Sequence, residues 1–301
     1  MSLVVCRLPK AGLGNQLFPL VKAAVFARLN ELPLSVVGYH QFKIGPYLRR
    51  EKTKRNYSGY FSFQRGWLGE SVQRMKLATY GNYRTVCEPP VEALSGEAKR
   101  NTKFQFSDIP HYKDYFAGLR EHRELALTCF REMLNGQVAA RVDELEAPPC
   151  IGVHIRMGDF RKLRAGEDFG SVGAVRTPED YFADLIEKIR TINGRDLPVS
   201  VFTDGYKHEF QRLFDMQGVS MVEGNADIVD MLLLSRSKLI ITSAGSTFSY
   251  WSAFLSNAPV IMHPDHLHAP VRPDEVNRHW YEGPFDPAGP DETLMRNIKR
   301  L

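Results

Sequence analysis

With 301 residues, of which 43% are hydrophobic and 25% are charged, the chain has the composition of a globular protein and the length of two ordinary domains. Its formal charge of +4 and its pI of about 8.8 fall short of the strongly basic character that is typical of nucleic-acid-binding proteins. The same mild excess of positive charge is compatible with a small anionic ligand. We therefore expect no nucleic-acid partner.

The cysteines and the apolar runs of the sequence indicate in which cellular compartment the protein is expected. The four cysteines are widely separated and form no C-x-x-C pair, which favours a reduced compartment. No run approaches the roughly 18 apolar residues of a membrane-spanning helix. The apolar N-terminus is too short for a signal peptide and has no basic segment. We expect a cytoplasmic protein without a transmembrane segment.

The N-terminal half is regular only at its two ends. Its patterning predicts a strand over 3–8, a glycine loop over 11–16, a helix over 17–29, a strand over 34–37 and a helical stretch over 119–146. Pro19 then falls in the first turn of a helix, where proline is tolerated. Residues 40–115 show no clear period. Because Pro148-Pro149 breaks the chain, we place an N-terminal domain at residues 1–147 and a C-terminal domain at residues 148–301.

The C-terminal half alternates strands with helices. The predicted strands are 150–155, 199–202, 219–222, 239–241 and, as the last one, 260–261. Helices are predicted between them, and the first has Thr177 as its N-cap and Pro178 at its first position. Such alternation predicts a doubly wound parallel sheet.

The most informative loop follows the strand at 150–155 and reads His154-Ile155-Arg156-Met157-Gly158-Asp159. Ligands of open α/β sheets bind outside the carboxyl ends of strands. The guanidinium of Arg156 matches the geometry of phosphate oxygens, and Gly158 lets the backbone turn. The loop suits a diphosphate that carries a sugar. A purely structural pair of Arg156 with Asp159, beside a buried His154, remains an alternative.

Two further loops have a similar chemical character. Gly12-Leu13-Gly14-Asn15-Gln16 leads into a helix, whose N-terminal N–H groups favour anions. Ser246 and Thr247 supply two hydroxyls at another helix start. A simple strand-to-helix turn and an ordinary N-cap are the respective alternatives. One cleft between two domains, in which all three loops meet an anionic ligand, accounts for the three together.

These residues resemble the motifs of the α-1,2-fucosyltransferases of glycosyltransferase family 11, and more distantly those of the α-1,6- and protein O-fucosyltransferases. The glycine loop is similar to their G-x-G-N-Q loop, and residues 154–159 are similar to their H-x-R-x-G-D motif. A third block, from Asp230 to Trp251, is similar as well. The order and spacing match over about residues 8–262. The chain departs from the family pattern in two places. Met157 stands where many members have arginine, and residues 40–110 do not align with the family.

The resemblance implies an α/β, GT-B-like fold in which two Rossmann-like domains face each other across a cleft. The N-terminal domain would be on the acceptor side and the C-terminal domain would bind the GDP-sugar. It also implies an inverting transfer of L-fucose from GDP-fucose to a glycan hydroxyl, the 2-OH of galactose. We expect no metal and no other cofactor, because the chain has no D-x-D motif. Arginine, helix N-termini and hydroxyls would then stabilise the leaving group.

Arg156 and Asp159 are the predicted catalytic residues. The resemblance implies that Arg156 neutralises the leaving diphosphate, whereas Asp159 is the candidate base because it is nearest in sequence. Glu167 and Asp168 are further candidates for the base, and a role for Asp159 in orienting Arg156 stays open. The predicted donor-binding residues are Gly14, Asn15, Gln16, His154, Arg156, Asp204, Asp230, Ser246, Thr247 and Phe248.

Other features leave alternatives open. The basic run at 49–55 is either a solvated face or a peripheral contact with a membrane surface or an anionic acceptor lipid. His263, His266 and His268 lie in a proline-flanked loop, and we expect no metal there. The alternative functions are a GT-B transferase that uses another nucleotide sugar, and an inactive nucleotide- or carbohydrate-binding module.

Overall fold

Two parallel β-sheets organise the chain, one in each of two units. The computed structural model describes residues 2–48, 51–52, 54–97, 99–144, 147–266 and 268–301. The first unit contains Met1–Lys43 and Arg55–Ala140, and the second contains Ile44–Lys54 and Arg141–Leu301. The predicted α/β class, with two Rossmann-like domains of the kind found in GT-B-like folds, is confirmed. The division lies before the predicted one at 147/148, and residues 44–54 group with the C-terminal unit.

Strands and helices are numbered in chain order. The strands are β1 (Leu3–Arg7), β2 (Leu34–Val37), β3 (Arg84–Cys87), β4 (Thr102–Phe106), β5 (Ile151–Ile155), β6 (Val199–Thr203), β7 (Val219–Met221), β8 (Leu239–Ile241), β9 (Val260–Met262) and β10 (Glu282–Pro284). The helices are α1 (Leu13–Asn30), α2 (Gly45–Leu48), α3 (Trp67–Ala78), α4 (Arg123–Met133), α5 (Gly136–Asp143), α6 (Glu179–Asn193), α7 (Gln211–Asp215), α8 (Asp227–Ser235), α9 (Thr247–Leu255), α10 (Asp274–Trp280) and α11 (Glu292–Lys299).

The first sheet has the order β2-β1-β4-β3, and all of its neighbouring strands are parallel. Helix α1 covers this sheet, and the ring of Phe26 lies 5.0 Å from that of Phe104 and 5.4 Å from that of Phe106. The chain leaves β1 toward β2 on one side, while β4 pairs on the other side. The strand order therefore reverses at β1, a position at which α/β proteins bind ligands.

Helix α1 begins at Leu13, earlier than the predicted start at 17. Gly14, Asn15 and Gln16 therefore form its first turn, and their prediction as a loop is wrong. Pro19 lies inside the helix and not in its first turn. Since proline has no N–H, it donates no hydrogen bond to the carbonyl of Asn15. Most residues of α1 are buried, and tertiary packing of this kind supplies most of the stability of a helix in a protein.

The irregular stretch at 40–115 contains α3, β3 and β4. Strand β3 has mostly exposed side chains, so it lacks the apolar signal of a buried parallel strand. The predicted helical stretch over 119–146 is interrupted between α4 and α5. There the N–H of Asn135 donates to the carbonyl of Tyr60 at 2.9 Å, away from the helical ladder.

The second sheet has the order β10-β9-β8-β5-β6-β7, again with parallel neighbours. From β5 the chain continues to β6 and β7 on one side, and β8, β9 and β10 lie on the other side. The strand order thus reverses between β5 and β8. Strand β5 is buried along its whole length, as expected for a central parallel strand.

The predicted last strand, β9, is followed by β10 at the sheet edge. A buried ion pair supports this addition: Arg272 Nε lies 3.2 Å from Glu282 Oε2, and both side chains are at most 2% exposed. Arg272 also donates to the carbonyls of Ala258 and Tyr281, each at 2.7 Å. These bonds satisfy a charge that would otherwise be costly to bury.

The segment 44–54 is held to its unit by an ion pair, in which Lys52 Nζ lies 2.8 Å from Glu223 Oε1. Arg49, Arg50 and Thr53 of the predicted basic run lie outside the described residues, so a membrane contact through 49–55 stays a prediction. Within the described ranges, none of the helices combines the length and hydropathy needed to cross a membrane.

We predict that Gly152→Ala destabilises the second unit by about 2–3 kcal/mol through overpacking. A Cβ at this position would overlap the hydroxyl of Ser237 and lie 2.8 Å from Leu234 Cδ1. Gly173→Ala is the matched control, since a Cβ there would have no neighbour within 4 Å. Urea unfolding measures both variants, and equal stabilities would contradict this packing of β5.

Candidate functional site

Arg156 is the centre of a charged cluster at the carboxyl end of β5. Its Nη1 donates to Asp204 Oδ2 at 2.5 Å, and its Nη2 donates to Asp159 Oδ1 at 2.6 Å. The other oxygen of Asp204 accepts the N–H of Met157 at 2.7 Å. Asp204 follows β6, which pairs with β5. The structure therefore brings together Arg156, Asp159 and Asp204, and Asp204 positions both the guanidinium and the loop.

A second contact joins this loop to the end of β8. The N–H of Arg156 donates to Ser243 Oγ at 3.1 Å. Ser243 Oγ lies 3.3 Å from Thr177 Oγ1, which accepts the N–H of Ala244 at 3.0 Å. Thr177 was predicted to cap a helix, but Pro178 is the N-cap of α6. Thr177 is instead buried beneath the loop between β8 and α9.

His154 and Phe248 form a stacked pair beside Arg156. Their ring centroids are 4.7 Å apart with an interplanar angle of 20°. His154 is 4% exposed, and its Nδ1 has no hydrogen-bond partner among the described residues. Burial lowers the pKa of His154 to about 3; the carboxylate of Asp204 opposes this shift and the cation of Arg156 adds to it. The imidazole is therefore neutral at physiological pH.

The N-terminus of α9 lies directly after this loop. Ser246 is its N-cap residue, yet in the described part of the chain its side chain makes no capping hydrogen bond. Thr247 and Phe248 form the first turn, whose N–H groups have no intrahelical acceptor. Gly245 has a φ of +68°, and its N–H donates to the hydroxyl of Tyr250 at 3.0 Å. This helix end can accept an anion.

Asp230 is on another element, in the first turn of α8. Its Oδ1 accepts a hydrogen bond from Asn225 Nδ2 at 3.1 Å. Burial raises the pKa of Asp230 to about 7, against the effect of the Asn225 hydrogen bond, and Asp227 adds to the rise. This carboxyl group therefore changes its charge near neutral pH.

Gly14, Asn15 and Gln16 belong to the first unit. Gln16 is buried, and its Nε2 donates to the Pro9 carbonyl at 3.0 Å, so it shapes the loop before α1. Asn15 Oδ1 is buried and has no partner among the described residues. The donor-binding roles of these three residues stay predictions.

The alternative bases differ in their surroundings. Glu167 forms two hydrogen bonds with Arg161, at 2.6 and 3.0 Å, and this pairing lowers the pKa of Glu167. It is therefore a poor base. Asp168 is exposed. Asp159, 42% exposed and in contact with Arg156, is the candidate that belongs to the cluster.

The histidines of the predicted surface loop contact aromatic rings. His263 lies 4.5 Å from the ring of Tyr181, and His268 lies 5.0 Å from that of Tyr250. The side chain of His266 is outside the described residues. In the described ranges, no group of three or more His, Cys, Asp or Glu side chains could hold a metal ion.

Comparison with known protein families identifies the family to which the sequence around the Arg156 cluster belongs. The model of the family described as glycosyl transferase family 11 matches residues 94–266, more than half of the chain. The chain belongs to glycosyl transferase family 11. The matched part of this family 11 protein includes the Arg156 cluster, Asp230 and α9, whereas the loop before α1 precedes it. The predicted resemblance to this family is confirmed.

Solved structures similar to the family 11 protein include fucosyltransferases. The NodZ α-1,6-fucosyltransferase of Bradyrhizobium, soaked with GDP-fucose, is 17% identical with a TM-score of 0.48, over 87% of this chain and 95% of that one. A variant of Arabidopsis thaliana FUT1 in complex with GDP is 14% identical with a TM-score of 0.46, over 92% and 73%. POFUT1 in complex with GDP-fucose is 13% identical with a TM-score of 0.48, over 90% and 95%. No curated protein matches the chain in sequence. At these identities and TM-scores, the family assignment rests on the match of residues 94–266.

Ser243 and Thr177 were not among the predicted site residues of the family 11 protein. Both are buried, and both act on the backbone of the site through hydroxyl groups. The available signal was that Ser243 directly follows a strand, but its proximity to Arg156 depends on the pairing of β5 with β8.

We predict that His154 makes folding stability dependent on pH. An unfolded histidine has a pKa of about 6.5, and the pKa of folded His154 is about 3. Between these values the unfolded chain binds a proton that the folded chain does not. The free energy of unfolding should therefore fall as the pH falls, by up to about 1.4 kcal/mol per pH unit from this residue.

Urea unfolding between about pH 7 and pH 5 measures this slope. Asp230, whose pKa folding raises to about 7, contributes a slope of opposite sign in this range, so the readout is the difference from wild type. His154→Gln should lower the slope by up to about 1.4 kcal/mol per pH unit, whereas His208→Gln, at an exposed position, should leave it unchanged. An unchanged slope in the His154→Gln variant would show that the imidazole is not buried in its neutral form.

Proposed function

We propose that this family 11 protein transfers L-fucose from GDP-fucose to a hydroxyl of a glycan acceptor, with inversion at the anomeric carbon. The observation that carries the proposal is the position of Arg156. It follows the central strand at the reversal of strand order, held by Asp204 and beside the N-terminus of α9. Family membership and the GDP and GDP-fucose complexes named above support the choice of donor.

Charge stabilisation in the proposed reaction comes from the protein alone. As the bond from fucose to the diphosphate breaks, negative charge develops on the leaving GDP. The guanidinium of Arg156, the first N–H groups of α9, and the hydroxyls of Ser246 and Thr247 would stabilise it. We propose that the reaction needs no metal, since these groups take the part that a divalent cation would otherwise have.

Asp230 and His154 are proposed to serve the rest of the donor. Asp230 occupies the position at which the family resemblance places an acid that contacts the nucleoside. A carboxylate can accept hydrogen bonds from the N–H groups of a guanine. The neutral His154, stacked on Phe248, offers an uncharged ring nitrogen beside the diphosphate.

We propose that donor binding displaces the carboxylate of Asp159 from Nη2 of Arg156. Arg156 bonds to two carboxylates that differ in exposure, since Asp204 is 11% exposed and Asp159 is 42% exposed. A diphosphate oxygen can replace the more accessible carboxylate on Nη2 while Asp204 retains Nη1. Asp159, no longer bonded to Nη2, would then be able to take the proton of the acceptor hydroxyl.

The proposed acceptor hydroxyl is the 2-OH of galactose, and it rests on the family resemblance. The linkage would be α-1,2. Lactose and N-acetyllactosamine are suitable first acceptors, because each presents a terminal galactose. The product of each contains one additional fucose, whose linkage and anomeric configuration nuclear magnetic resonance identifies.

A donor panel tests the function. With one of these acceptors present, we expect GDP release from GDP-fucose, little from GDP-mannose or UDP-sugars, and no loss on adding EDTA. Arg156→Lys should lower kcat/KM by about 100-fold or more, because the planar fork is lost. Arg161→Lys, on the adjacent loop, is the control. Turnover with another donor alone would identify a transferase of different specificity, and GDP binding without turnover would identify a binding module.

Asp159→Asn tests the proposed base. We expect kcat to fall by about 100-fold, while the affinity for GDP stays equal or increases because a competing carboxylate is lost. Asp168→Asn is the control at the other candidate position. If Asp159→Asn weakens GDP binding and leaves kcat within a small factor, Asp159 orients Arg156 and is not the base.

A further inference from the structure

Helix α3 exposes a set of large apolar side chains. Trp67 is 70% exposed, Leu68 71%, Val72 46% and Met75 64%. With about 100° of rotation per residue, these four side chains lie within an arc of about 140° on one side of the helix. We call this arc the exposed face of α3. Single exposed apolar residues are common, but a contiguous set usually marks a contact surface.

The opposite face of α3 attaches the helix to its unit. Leu77 is buried in a cluster with Leu3, Val5 and Val37. Glu70 is buried and accepts the backbone N–H groups of Gly38 and His40 at 2.7 and 3.0 Å. The exposed face makes no contribution to these bonds. Its side chains can therefore be changed without loss of the contacts that hold the helix.

Positive charges border the exposed face on both sides. Lys76 lies at the edge next to Val72, and Arg74 at the edge next to Trp67, while Arg65 precedes the helix. The only acid in the helix sequence is Glu70, which is 4% exposed and bonded to the half-exposed Arg74. The charge of Arg74 is thus balanced by Glu70, and the net positive charge beside the apolar surface comes from the exposed Lys76 and Arg65.

We propose that the exposed face of α3 binds the surface of an anionic lipid bilayer. The pattern is that of an interfacial helix, with Trp, Leu and Met at the level of the headgroups and Lys or Arg toward their phosphates. The cationic borders favour a bilayer that carries negative charge. This surface shares no residue with the basic run at 49–55. It shares no residue with the proposed donor site, so it stands or falls independently of the proposed reaction.

Vesicle co-sedimentation of the full chain tests the proposal. We expect binding to vesicles that contain phosphatidylglycerol and little binding to pure phosphatidylcholine. Salt should weaken the binding, since it screens the charged contribution. The fluorescence of Trp67 should shift to shorter wavelength on binding. Trp280→Phe removes the other exposed tryptophan, and Trp251 is fully buried.

Variants locate the contact. Leu68→Ser combined with Val72→Ser should lower vesicle partitioning by about 100-fold, and Lys76→Glu by about tenfold or more. Tyr112→Ser is the matched control, because Tyr112 is 62% exposed and lies outside α3. Circular dichroism and GDP release in free solution should be unchanged in all of them.

Three results would overturn the proposal. The first is that the wild-type chain does not bind anionic vesicles. The second is that the α3 variants bind these vesicles as well as the wild-type chain does. The third is that light scattering shows the wild-type chain as a dimer and the α3 variants as monomers, while the wild-type chain does not bind vesicles. A second copy of the chain would then cover the exposed face of α3.

Discussion

The bond between the guanidinium of Arg156 and the carboxylate of Asp204 is the interaction on which the site depends. Asp204 accepts from Nη1 with one oxygen and from the N–H of Met157 with the other. It thereby places both the charge and the loop that carries it. A partly buried guanidinium needs such partners, because an unpaired charge is costly to remove from water. Pairing also holds the fork of donors in one orientation, so that little is lost in ordering it when an anion binds.

Much of the second unit could be predicted from sequence because its central strands are buried on both faces. Strands β5, β6 and β8 read as apolar runs, and Gly or polar residues follow them. Elements that are buried on one face or not at all could not be recognised from an apolar run. Helix α3 exposes apolar residues and buries Glu70, so its pattern is the reverse of an ordinary surface helix. The start of α1 was missed because Pro19 usually marks a first turn, and here it lies inside a buried helix.

The residue types of the candidate site could be read from the sequence, whereas the contacts between these residues could not. Arg156, Asp159 and His154 are adjacent in sequence, so their residue types alone indicated an anion site. The partner of Arg156 on β6 and the hydroxyls of Ser243 and Thr177 depend on strand order, which no local pattern contains. Asp204 was predicted as a donor-binding residue; in the structure both of its oxygens accept from the loop after β5, and its role toward the donor stays a prediction. Burial likewise decided the neutral state of His154, since its ring lies against Phe248.

The contact between Arg156 and Ser243 joins residues that are 87 positions apart. During synthesis, a chain that has not yet emerged as far as β8 can pair β5 with β6 but lacks the hydroxyl and the helix end that complete the proposed anion site. The site is therefore a late product of folding. A nucleotide that binds there selects fully assembled chains and withdraws them from the unfolding equilibrium. In a cell, the supply of its own donor would in this way act on the lifetime of the protein as well as on its turnover.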